Sequence, residues 1–138
     1  MTPFRVLEHT ADVGFEAFGQ TREEVFVNAA RALTDLMVDA AEVRPAAAVP
    51  IEATAASETD LVVNWLSEVL YLFDAERWLF SGFEISRLTM CSLAAVGRGE
   101  KFDPARHAIK LQVKAITYHQ LALEHGAGGW RVQVYVDI

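Results

Sequence analysis

Two acidic segments carry the most chemistry in this chain. Asp12 lies in HTADVGFEAFG, and the sequence closes on Asp137-Ile138. In the closing stretch WRVQVYVDI, the valines alternate with polar residues. One face therefore goes to a core, and Asp137 points the other way, toward solvent or a cleft. Where the chain ends at Ile138, a free carboxylate lies one residue on. Two negative groups so close repel each other unless a cation or a basic side chain neutralises them. Asp12 joins them if the first and last strands are neighbours. Three carboxylates with backbone carbonyls make an all-oxygen donor set suited to a hard divalent cation: calcium, magnesium or manganese. The same residues also describe a chain end with solvated charges, and spacing alone leaves both readings open.

Other polar groups offer less. Lys114 sits on the polar face of an alternating segment and is either a counter-charge for an acidic cluster or an ordinary solvated lysine. Glu100, Asp103, Arg106 and His107 share one loop, which reads equally as a partner-facing surface or as a turn that satisfies itself. His9, His107 and His119 match no tight zinc spacing, and Cys91 adds a single thiolate. His9 is expected to order its own turn, and His107 to do the same near Asp103. There is no G-x-S-x-G elbow, no activated serine or cysteine, and no phosphate loop, because Gly126–Gly129 lacks the lysine and helix that such loops need. Trp65, Tyr71, Phe73 and Trp78 read as core or docking aromatics.

The elements that position these groups follow from patterning. Phe4–Glu8 and Gly14–Phe18 read as short strands flanking the Asp12 turn. Thr21-Arg22-Glu23-Glu24 is a capping box for a helix ending near Asp39. Ala40–Pro50, rich in alanine and holding two prolines, reads as a connection with room for a helical turn at its start. Ile51–Ala55 is a strand, and Ser57-Glu58-Thr59-Asp60 starts a second helix with a wide apolar stripe. Strands are expected at Phe80–Leu88 and Met90–Gly97, then a charged loop over Gly97–Pro104. Ile109, Leu111 and Val113 alternate with Lys110, Gln112 and Lys114 as a half-buried strand. Tyr118–Glu124 and Trp130–Asp137 complete the set. The fold class is therefore α+β: a strand–helix–strand–strand module, about 49–97, inserted into another, with a largely antiparallel sheet packed by two main helices.

Bulk properties narrow the classes of function. The 138 residues suit one domain with a real core, and 52% hydrophobic with 22% charged content is ordinary globular usage. A net charge of −7 repels phosphate backbones, so stable nucleic-acid binding is not expected, whereas a cation or a basic partner is accommodated. One cysteine forms no internal disulfide, which points to a reducing cytoplasm. MTPFRVLEHTADV has no signal-peptide pattern, and no apolar run approaches the roughly 20 residues of a membrane span.

Five blocks together resemble one known family. HTADVGFEAFG (9–19), WLSEVLYLFD (65–74), GEKFDPARH (99–107), VKAITYH (113–119) and the ending VYVDI are similar to those of the archeases, in the same order and over essentially the whole chain. Ser67 departs from the pattern, standing at a helix position where an amide or acid is expected, and puts no proposed ligand in doubt. The resemblance implies the inserted-module fold and a role as cofactor of an RtcB-type RNA ligase. That enzyme seals 2′,3′-cyclic or 3′-phosphate ends to 5′-hydroxyl ends in tRNA splicing and RNA repair. It also implies promotion of GTP-dependent guanylylation of a ligase histidine and of multiple turnover. By the same resemblance the metal site is Asp12, Asp137 and Ile138, and Lys114 is a functional position. Two rivals remain: a stand-alone metal-dependent hydrolase would turn over by itself, and a general chaperone or adaptor would be indifferent to Asp12, Asp137 and chelators.

Overall fold

The computed structural model describes residues 2–8 and 13–138, and in it Thr21 and Ser57 open the two long helices in the same way. Each lies in extended backbone with its hydroxyl accepting an amide three residues on, from Glu24 at 3.1 Å and Asp60 at 3.2 Å. That satisfies one of the donors a first helical turn leaves without partners, while acidic residues in both first turns favour the positive end of the dipole. Helix α1 spans Arg22–Met37 and α2 spans Glu58–Glu76. After α1, Asp39 caps a short 3-10 turn at Ala40–Glu42 by accepting from the Ala41 amide. Helix α2 ends on Arg77 at φ 64°, the left-handed region where glycine is usual. This backbone costs a non-glycine residue about 1–2 kcal/mol. Hydrogen bonds offset it: the Arg77 amide donates to the Phe73 carbonyl at 2.8 Å, and its carbonyl accepts from Phe102 at 2.7 Å.

The strands are β1 (Phe4–Glu8), β2 (Val13–Gly19), β3 (Ala47–Thr54), β4 (Trp78–Leu88), β5 (Ser92–Lys101), β6 (Ala115–Ile116), β7 (Ala122–Gly126) and β8 (Gly129–Asp137). They form two sheets. One runs β1-β2-β8-β6 with β7 also on β8, and the other runs β3-β5-β4. Every pairing among the described residues is antiparallel, as the α+β reading expects. The second sheet and α2 occupy the unbroken stretch Ala47–Lys101.

Several boundaries differ from the sequence reading, each for a local reason. Strand β3 starts at Ala47 and contains Pro50; among the described residues it pairs only with β5, and an edge strand tolerates a residue without an N–H. Strand β5 runs on to Lys101 through the expected loop, and Gly99 makes this possible, because a Cβ there would collide with the Leu79 carbonyl of β4. The strand expected over Ile109–Val113 is absent. The Lys110 amide donates instead to the Met37 carbonyl at 2.7 Å, and pairing with β8 begins only at Ala115. The strand expected over Tyr118–Glu124 starts late, at Ala122, after a turn through Gln120 at φ 48°.

The core joins both sheets to both helices. Trp65 is wholly buried; its indole N–H donates to the Phe26 carbonyl at 2.9 Å, and its ring meets Phe83 edge-on at 5.5 Å. This fastens α2 to α1 and to β4. Asn28, also buried, donates to the Phe18 carbonyl at 2.7 Å and so fixes α1 against β2. Val132, Val134 and Val136 face inward, as alternation requires. Among the described residues no helix is long and apolar enough to cross a membrane.

Candidate metal and docking site

The register of the first sheet decides what meets at its end. Val13, where the chain enters β2, pairs with Val136 of β8, and Gly14 pairs with Tyr135. On the other side of β8, Ala115 pairs with Asp137, and the Lys114 amide donates to the Asp137 carbonyl at 2.8 Å. Lys114, Asp137 and Ile138 are exposed and share one end of the sheet with the start of β2. Asp12 and His9 lie outside the described residues. Among those described, no three His, Cys, Asp or Glu side chains gather closely enough to hold a metal ion.

Tyr135 is the buried exception on the outward face of β8. It shares the outward face with Gln133 and Asp137, yet it is only 7% exposed. Its ring lies over Gly14, where an added Cβ would come within 2.7 Å of it, and His119 meets it edge-on at 5.5 Å. Gly14 therefore leaves room for the Tyr135 ring between β2 and β8.

Further along the same face an ion cluster went unforeseen. Glu16 is 4% exposed and lies between Arg5, at 2.6 Å, and Arg131. Arg131 also reaches Glu124 at 2.5 Å and Gln133 at 2.7 Å. Burial pushes the Glu16 carboxyl upward, but hydrogen bonds from Arg131 and Arg5 outweigh it and hold the group below the usual carboxylate range.

Glu100 lies near the end of β5, not in the loop expected to hold it with Asp103, Arg106 and His107, and those loop residues turn back onto it. Glu100 accepts from the Arg44 amide at 2.8 Å, from Arg106, and from His107 Nε2 at 3.0 Å. The tautomer of His107 follows from its other nitrogen. Nδ1 accepts the Asp103 amide at 2.9 Å, so the proton sits on Nε2 and is donated to Glu100. Burial alone would raise the Glu100 carboxyl; the donors from Arg44, Arg106 and His107 overcome it and bring the group down to about 2. His107 is buried with both ring nitrogens engaged. His119 packs on Tyr135, and Cys91 lies exposed between β4 and β5, so the described members of the zinc set are not brought together. Of the four aromatics, Trp65 and Phe73 are core residues, Trp78 is half-buried on Phe80, and Tyr71 is exposed.

Known proteins share this arrangement of elements. The model of the Archease protein family matches residues 4–138. A protein archease from Methanosarcina mazei is 41% identical, covering 98% of this chain and 95% of its own. One from Methanopyrus kandleri is 37% identical and covers 99% of each. The solution structure of Protein 1598 from Methanobacterium thermoautotrophicum superposes with a TM-score of 0.84 at 34% identity, over 100% of both chains. The crystal structure of an archease, possible chaperone, from Thermotoga maritima gives a TM-score of 0.63 at 19% identity. It covers 96% of this chain and 94% of its own, and shows a common fold.

Proposed function

The chain belongs to the archease family, and on that premise we propose that it is a metal-binding accessory protein of an RtcB-type RNA ligase. In this reading it promotes the ligase's GTP-dependent guanylylation and its multiple turnover in tRNA splicing and RNA repair, in the cytoplasm, without catalysing a reaction itself. The observation that supports it is the Lys114 amide bonded to the Asp137 carbonyl at the sheet end where β2 begins. A basic residue and an exposed carboxylate are thereby presented together.

The donor chemistry fits a hard cation. Asp137 is exposed, and its carboxylate offers only oxygen, as do Asp12 and, where Ile138 is the last residue, the terminal carboxylate. These three groups would hold calcium, magnesium or manganese, and the bound cation would supply positive charge toward phosphate oxygens. Asp137, joined by the terminal carboxylate where Ile138 is the last residue, presents an acidic tip to the ligase, and Lys114 balances that charge as the tip docks. The close approach of Tyr135 to Gly14 packs β8 against β2 where Asp137 follows.

Ligation over many turnovers by the cognate ligase, with and without this protein, tests the reading. We expect stimulation by the wild type and none by an Asp12→Ala, Asp137→Ala double variant, with calorimetric cation binding lost in the same variant. Full stimulation by the double variant refutes the role of the site, and turnover by the isolated protein refutes the accessory role.

A further inference from the structure

Between the C-terminal ends of α1 and α2 and the unpaired segment 109–113 lies a cavity of about 230 Å³. Its apolar wall is formed by Met37, Phe73, Ile109, Leu111 and Val113, and Asp74 and Arg77 also line it. The volume far exceeds the roughly 10–15 Å³ that one water needs and falls below the roughly 300–1,000 Å³ of sites for drug-sized molecules. A small metabolite is the matching size.

The charges narrow its class. The Arg77 guanidinium lies over the rings of Phe73, at 4.3 Å, and Phe102, at 5.1 Å, and the residue is exposed, so its N–H donors are reachable from solvent. Arg77 and Asp74 form no ion pair with each other or with any other side chain among the described residues. One cation and one anion that leave each other unneutralised, above an apolar wall, recognise a molecule bearing both charges and an apolar body. Ile109 is 44% exposed, so part of that wall is open to be covered.

We propose that this cavity binds a free α-amino acid with a branched or thioether apolar side chain. Its carboxylate pairs with Arg77, its ammonium group with Asp74, and its side chain lies against Phe73, Leu111 and Ile109. The backbone of Arg77 agrees with such a use: an arginine occupies a left-handed position that glycine would fill with less strain, so its side chain is placed there against a local preference. The chemistry of this cavity is independent of any ligase.

Amide-resolved NMR titration of the full chain with L-leucine and L-methionine tests the proposal. The controls are 4-methylpentanoate, which lacks the ammonium group, and isoamylamine, which lacks the carboxylate. Expected are shifts at residues 109–113 with the amino acids, and at least tenfold weaker binding of both controls. Arg77→Gly suits φ 64° and should keep the melting temperature while losing leucine binding at least tenfold. Asp74→Asn, at an exposed position, should lose it comparably. The proposal is overturned if no amino acid shifts these residues at millimolar concentration, if the controls bind as well as leucine, or if both variants bind it unchanged.

Discussion

The end of β5 with the loop that follows it, 100–107, and the sheet end at Lys114, Asp137 and Ile138 use the same kinds of residue in opposite conditions. Around Glu100, three donors converge on one carboxylate, and the group is a stronger acid than usual, near 2. At the sheet end, by contrast, the bond that unites Lys114 with Asp137 runs from backbone to backbone, and both side chains lie in solvent. A carboxylate enclosed by its own chain's donors is a building part, since removing it leaves those donors unmet. A carboxylate held by its backbone and left in water is available to something from outside.

That contrast is breakable by substitution. The largest effect belongs to Glu100→Ala, which strands Arg106 and His107 and should destabilise the fold by about 2–3 kcal/mol in urea. Its pH signature is specific. Because the folded carboxyl is held at about 2, below its ordinary value of 4.5, its contribution is full above pH 4.5 and is lost as pH falls toward 2. The stability gap between wild type and Glu100→Gln should therefore close over that window; a constant gap would mean the carboxylate's charge is not what stabilises. Gly14→Ala comes next, at about 1–2 kcal/mol from overpacking against the Tyr135 ring, read as a lowered melting temperature. The smallest is Asp137→Asn, within about 0.5 kcal/mol of wild type. Should it cost as much as Glu100→Ala, the distinction between the two regions collapses.

How much of this was legible depends on what a pattern reports. Thr21 and Ser57 were readable as caps because the hydroxyl acts on an amide three residues away, a wholly local event. The valines of β8 were readable because one sheet face is buried along its whole length. Ile109-x-Leu111-x-Val113 misled because alternation reports which side chains seek burial, and says nothing about whether a neighbouring strand exists to bond. Of these three only Val113 is fully buried, and the segment leans over a cavity instead of joining a ladder. Tyr135 and the Glu16 cluster were hidden for a related reason: each depends on which strand lies beside which, a fact outside any single segment. The placement of Lys114 beside Asp137 likewise required the β6–β8 register. Asp12 lies outside the described residues, so its part in the site rests on sequence alone.

The missing ladder along 108–114 has a consequence for motion. Among the described residues, only the amides of Lys110 and Lys114 in this stretch are held by other backbone groups. Opening it breaks two hydrogen bonds, one of them to Asp137 of β8, and uncovers Val113, a local event whose free energy lies below that of global unfolding. In deuterated water these amides should exchange early, while those of β8 stay protected. Lys114 thus sits where a quickly opening tether joins a slowly opening frame, and its side chain is able to reach outward while the strand carrying Asp137 stays in place.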